Sequence, residues 1–305
     1  MCFQRFTKKN IAVNILLVAA YLFWNIIVEE LKPEHYFLIL FWLFAYFGNE
    51  KSRRFITAFS IFIIYWIIYD SMRIIPNYEV SQVHIKEPYE LEKALFGITA
   101  NNTLLTPNEY FILHNNHFLD FLSGMFYINW VPIPLAFGVY LYLKDKYLFT
   151  KFSLVFLFVN IAGFIIYYIY PAAPPWYVEL YGFDLQLGVS GNSAGLSRFD
   201  KIIGIPVFEN IYNKNANVLA AIPSLHAAYP VIVLYYGIKK RLGWVNWLFV
   251  IFMLGIWFSA IYSNHHYIID IILGVIITLI TLLLFTTILH NQIVKKLVKK
   301  FTKFI

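Results

Sequence analysis

The chain has 305 residues, 60% of them hydrophobic, 20% aromatic and only 13% charged. A soluble globular domain carries about a quarter charged residues, so that class is excluded. The net charge of +7 lies in short loops between apolar runs and in the tail "KKLVKKFTKF", not in a stripe along one element, which argues against a nucleic-acid partner. The single cysteine, Cys2, rules out an internal disulfide.

In chain order, the basic segment "MCFQRFTKKN" leads into the first apolar run. No small-residue cleavage site stands before "EELKPEH", which reads as an uncleaved signal anchor. Eight candidate spans follow, at 11–28, 36–47, 56–68, 127–143, 152–170, 219–236, 245–261 and 267–289. The second and third are short. With the N-terminus inside, the inner segments hold 17 of the 24 basic residues, and each inner segment holds at least three. Both termini then face the cytoplasm, and the fold class is an all-α polytopic membrane bundle of about eight transmembrane helices. Residues 71–126 form an outer segment. In its "TPNEYFILHNN", Thr106, Pro107 and Glu109 spell a capped helix start, predicting a short helix along the membrane surface. Residues 171–218 are rich in Gly, Asn and Pro and read as an ordered outer loop. No repeat, low-complexity tract or linker interrupts the chain, so 1–305 is one domain. It divides into N-terminal helices (1–70), the outer segment (71–126), a helical core (127–290) and a basic cytoplasmic tail (291–305).

Ionisable residues inside such a chain are costly and mark function by default. The stretch "SNHHYIIDIILG" (263–274) carries His266 and Asp270 four apart, on one helical face. A carboxylate beside a histidine fixes its tautomer and orients its other nitrogen. His265 points about 100° away. A second segment, "AIPSLHAAYP", places His226 at the outer end of the sixth span, level with His266 and Asp270 at the outer end of the eighth. Two histidines and a paired carboxylate at one depth point to nucleophilic and acid–base catalysis. The competing readings are interfacial histidines at helix ends, or a zinc site of His226, His266 and Asp270. No HExxH motif or cysteine cluster supports the latter, so no metal is expected.

"PSLH" followed some 40 residues later by "HHYIID" resembles the type 2 phosphatidic acid phosphatase superfamily. Within it, the chain is similar to inositol phosphorylceramide synthases across "YPAAPPWYVELYG", "AGLSRFDKIIGI", "AAIPSLHAAYP" and "YSNHHYIIDIILG", with weaker matches in "MRIIPN" and "LEKALFG". The resemblance implies a six-helix catalytic core. It also implies a cofactor-free transfer of phosphoinositol from phosphatidylinositol to ceramide through a phosphohistidine. His266 would be the nucleophile, Asp270 its orienting partner, and His226 the general acid and later base. Ser224, in the same "PSLH", joins the substrate-binding candidates.

Two departures bear on this. The superfamily's Lys/Arg-Pro motif is replaced by "APPWY", and its Ser-Arg pair by Ser259 and Ala260. The usual phosphate clamp is therefore missing, which disfavours a plain phosphatase, yet equatorial phosphoryl oxygens need cationic donors. The outer loops offer Arg198 first, then Lys201 and Arg73, with lipid-headgroup contact as the alternative role of each. Asp120 and Asp184 are outer carboxylates that suit sugar hydroxyls or plain solvation. Trp176 of "PPW" reads as an aromatic belt residue in a stiff turn. The alternatives for function are a lipid phosphatase using water, and a lipid transporter or lipid-binding protein. The absence of a repeat and the outer position of the ionisable residues disfavour the transporter. The expected site is the non-cytoplasmic face, of a bacterial inner membrane rather than a Golgi membrane given the compact tails.

Overall fold

The computed structural model describes residues 5–28, 31–213 and 217–305; Cys2, Glu29, Glu30 and Lys214 lie outside them. Three helices open the chain: α1 (Lys8–Val28), α2 (Pro33–Gly48) and α3 (Glu50–Ser71). The outer segment then folds as α4 (Asn77–Val80), α5 (Lys86–Phe96), a small antiparallel hairpin of β1 (Ile98–Ala100) and β2 (Thr103–Leu105), α6 (Pro107–Leu113) and α7 (His117–Tyr127). A 3-10 turn at Ile128–Trp130 leads into α8 (Pro132–Lys144) and α9 (Lys146–Ile169). The second outer segment carries α10 (Pro175–Tyr181), α11 (Ser197–Ile203) and α12 (Val207–Tyr212), so it is more helical than its Gly, Asn and Pro content suggests. The chain ends with α13 (Leu225–Lys239), α14 (Val245–Tyr262), α15 (Ile268–Ile288) and α16 (Gln292–Phe304).

A helix lies in each of the eight apolar segments. Among the described residues, α1, α3, α9, α14 and α15 are each long and apolar enough to cross a membrane; 117–144 makes a sixth if counted across its 42° bend. The other two fall short of the expected spans. Sixteen residues give α2 about 24 Å and fifteen give α13 about 22 Å, against a hydrocarbon core of about 30 Å. For α13 the reason is local: residues 219–223 are non-helical, with Ala221 N–H bonded to Ala172 O at 3.2 Å, and the helix starts only at Leu225. For the fourth span the break comes at Pro132 and Pro134, at the head of α8.

One apolar core joins the later helices to α3. Phe62 (α3), Leu141 (α8), Phe149 and Phe156 (α9), Ile232 (α13) and Phe285 (α15) are buried together, with Phe249 of α14 packed against them. The loops sort into two groups by their contacts. On one side Lys240 pairs with Asp145 at 3.2 Å, and Lys146 Nζ reaches the Ile305 carbonyl at 2.6 Å, docking the tail helix α16. On the other, Asn77 Nδ2 ties Leu219 O at 2.7 Å and His84 N–H ties Pro171 O at 2.8 Å. The expected cap at α6 is present: Thr106 Oγ1 accepts from Glu109 N at 3.2 Å, and Glu109 Oε2 accepts from Thr106 N at 2.7 Å.

Candidate active site

Two helix starts, those of α13 and α15, meet at one end of the bundle. Ser224 caps α13, its Oγ accepting from Ala227 N at 3.3 Å, and this fixes His226 in the first turn. Ser224 N–H also donates to the Asp270 carbonyl at 2.9 Å, so the two histidine-bearing segments are joined through the backbone. Gly274 permits that approach: a Cβ there would lie 2.2 Å from Ser224 O. Ser224 is fully buried in this role, and the structure gives it a helix cap and a backbone tie rather than a face toward substrate.

Between α14 and α15 the chain turns through Asn264, which has φ +64°. The His265 and His266 amides both donate to Ala260 O at 3.0 Å. This turn aims His266 Nε2 at His226 Nδ1, 3.0 Å away. On its other side His266 Nδ1 meets Asp270 Oδ2 at 3.2 Å, and the same oxygen accepts from Tyr267 N at 2.9 Å. His226, His266 and Asp270 therefore form one chain of contacts. Burial pushes His266 down to about 4, so the ring is neutral. With Nδ1–H directed to the carboxylate, Nε2 keeps the lone pair that can act as a nucleophile, held in this structure against His226 Nδ1. Among the described residues no group of three His, Cys, Asp or Glu side chains is placed to hold a metal ion.

His265 turns away, as its spacing predicts, but it is not idle. It is buried, its Nε2 lies 2.9 Å from Ser193 O, and its ring stacks on Tyr212 at 4.3 Å. Burial also lowers this imidazole, to about 3.

Of the proposed phosphate donors, Arg198 alone is brought beside the turn. Its Nε donates to Asp120 Oδ1 at 2.5 Å, and its guanidinium lies over the Tyr262 ring at 5.2 Å. Gly195 N–H donates to Ser263 O at 2.9 Å, and a Cβ at Gly195 would lie 3.0 Å from both guanidinium nitrogens Nη1 and Nη2. Nη2 is buried and makes no hydrogen bond within the protein. Asp120 is therefore not a solvated acid. It is buried, and it holds Arg198 and the Tyr262 hydroxyl (2.8 Å) rather than presenting oxygens to a sugar. Lys201 is exposed one turn further along α11. Arg73, just past the end of α3, pairs with Asp70 at 3.0 Å. Asp184 is exposed, as expected of a solvated acid. Trp176 is buried instead of sitting in an interfacial belt, packed with Tyr177, Ile85 and Leu219, and its backbone N–H braces the turn by donating to Asn264 O at 3.0 Å.

Two supports were not legible in the sequence. Asn108 Nδ2 donates to Ile261 O and His266 O, both at 3.0 Å, clamping the turn from α6. Glu92 of α5 is fully buried and accepts from the Ile268 and Ile269 amides at 2.9 and 3.2 Å, closing the start of α15. The partners are 176 and 177 residues apart, so no local pattern announces the contact. Glu92→Ala should cost about 2–4 kcal/mol by leaving two buried amides unpaired, read as a lowered Tm. Burial raises this carboxyl from 4.5 to about 7. The folded state then holds an extra proton between these values, so its stabilising effect is present at low pH and is lost as pH rises through about 7. Glu92→Gln should flatten that part of the Tm–pH curve.

The model of the PAP2 superfamily matches residues 106–284. The chain is 46% identical over 281 residues to the phosphoinositol dihydroceramide synthase of Bacteroides thetaiotaomicron, with 92% of each chain covered. It is 27% identical over 238 residues to the inositol phosphorylceramide synthase of Candida albicans, covering 75% of this chain and 47% of that one. It is also 27% identical over 255 residues to the inositol phosphorylceramide synthase catalytic subunit of Saccharomyces cerevisiae, covering 79% and 60%. No solved structure matches it. The matched region runs from the Thr106 cap into α15 and takes in both histidine-bearing segments. With nearly the whole chain aligned to one such synthase, this integral membrane protein belongs to the PAP2 superfamily, within its inositol phosphorylceramide synthase group.

Proposed function

We propose that the protein transfers phosphoinositol from phosphatidylinositol to a ceramide or dihydroceramide and releases diacylglycerol. The observation that carries the chemistry is the direct approach of His266 Nε2 to His226 Nδ1, with Asp270 behind. The substrates come from the relatives, one a phosphoinositol dihydroceramide synthase and others inositol phosphorylceramide synthases.

In the first half-reaction His266 Nε2 attacks phosphorus and the bond to the diacylglycerol oxygen breaks. Protonated His226 gives its Nδ1 proton to that oxygen, and Asp270 stabilises the positive charge left on the phosphorylated ring. In the second, His226 takes the proton of the ceramide hydroxyl, whose oxygen attacks phosphorus and frees His266. Arg198 supplies a donor to the equatorial oxygens through its unpaired Nη2, with Asp120 holding it in place. The site faces the non-cytoplasmic side, in keeping with the charge bias of the loops.

Acceptor dependence tests this. Purified protein given labelled phosphatidylinositol alone should yield little product. Adding ceramide should yield a phosphoinositol ceramide and an equal amount of diacylglycerol. Release of inositol phosphate or free phosphate at the same rate without ceramide would make the protein a hydrolase.

A further inference from the structure

We infer that Tyr127 is a positioning residue for His226, holding the acid–base ring through both halves of the transfer; the inference rests on the phosphohistidine reading above. The segment 117–144 bends by 42° at the turn after α7. That break lies against His226. Tyr127 OH stands 3.2 Å from His226 Nδ1, and the Trp130 ring meets the same imidazole at 4.4 Å between centroids, at 89°. One interrupted helix thus flanks the ring with a hydroxyl and an aromatic wall.

Tyr127 is fully buried, its ring near His265 (5.6 Å, 19°) and Phe208 (6.3 Å). Phenylalanine would fill that space without the cost of burying a hydroxyl, so packing alone does not account for the phenol. Its oxygen instead adjoins the one nitrogen that has to move a proton. In the resting structure His226 Nδ1 faces His266 Nε2. Once phosphorus occupies Nε2, that contact is gone and the imidazole needs another guide. A hydroxyl both donates and accepts, so Tyr127 can accept from Nδ1–H of the acid and donate to Nδ1 of the base. At 3.2 Å the bond is long enough to steer the ring without withholding the proton from the leaving oxygen.

Tyr127→Phe tests this because it keeps the ring and its packing. With phosphatidylinositol as donor, kcat should fall roughly tenfold to a hundredfold, a part of what general acid catalysis supplies, while KM for the donor stays within about threefold. The discriminating probe is an inositol phosphodiester with a lipophilic nitrophenol leaving group, whose anion departs without a proton. The variant's initial nitrophenolate burst should match wild type, while its diacylglycerol burst from phosphatidylinositol is slowed. His226→Ala should show the same pattern more strongly. Unchanged kcat on phosphatidylinositol would overturn the inference. So would an equal loss with both donors, which signifies a structural role. Both bursts precede acceptor attack, so the comparison stays readable even if ceramide proves not to be the acceptor.

Discussion

His266→Ala should lower transfer by at least about a thousandfold and leave no phosphoenzyme. The reasoning is geometric. Attack on phosphorus needs a lone pair on a neutral, oriented ring. Burial keeps His266 neutral, and Asp270 accepts from Nδ1–H so that Nε2 faces His226 Nδ1. His226 cannot substitute, because it must hold the proton for the leaving oxygen. His265 cannot substitute either, because its Nε2 is committed to Ser193 O and its ring is stacked on Tyr212. Quenching wild type with donor labelled in its phosphorus should give acid-labile, base-stable label on protein. His266→Ala should give none while keeping its Tm. Asp270→Asn should keep a small residue of activity, since the shape survives but the tautomer does not. Near-normal turnover by His266→Ala, or label on protein without His266, would remove the mechanism.

How much of this site could be read from the sequence follows from contact range. The His266–Asp270 pair lies one helical turn apart, and i,i+4 spacing announces it. His226 was reachable because charge bias and apolar length set its membrane depth level with His266. The Thr106 cap was reachable because a capping box is local. What stayed hidden was long-range or depended on burial. Glu92, Asn108 and Tyr127 touch the site across 99 to 177 residues, and nothing near each of them in the chain signals a partner. Asp120 read as a surface acid because its position after "HNNHFL" is polar; only the fold brings α11 over it and buries its ion pair. Ser224 read as a substrate contact, but the fold uses it for its own helix start. The spans behaved likewise. Apolar length located all eight helices, while the shortening of α13 and the bend before α8 came from prolines inside apolar runs.

Arg198→Ala should reduce kcat by roughly a hundredfold to a thousandfold, the usual cost of removing one preorganised donor to a developing charge. The PAP2-type Ser-Arg clamp cannot operate here, because Ala260 fills the second position and spends its carbonyl on the His265 and His266 amides. The charge must come from another segment, and Arg198 is the cation the fold delivers beside the turn. Three contacts restrain it: Asp120 on Nε, the Tyr262 face beneath, and Gly195 close against both terminal nitrogens. A side chain so restrained loses little entropy when phosphate binds, and its buried, unpaired Nη2 gains the bond it lacks. Arg198→Lys should recover little. One ammonium cannot pair with Asp120 and reach a phosphoryl oxygen from the other edge at once, nor lie flat on Tyr262. Asp120→Asn should be milder than either, because the amide oxygen can still accept from Nε while the ion pair is lost. Unlike Tyr127→Phe, the Arg198 variants should be slow with both the diacylglycerol and the nitrophenol donor, because charge builds on the phosphoryl oxygens whichever group leaves. Arg198→Ala within about threefold of wild type on both donors would move the clamp elsewhere, with Lys201 on the same helix the next cation to test.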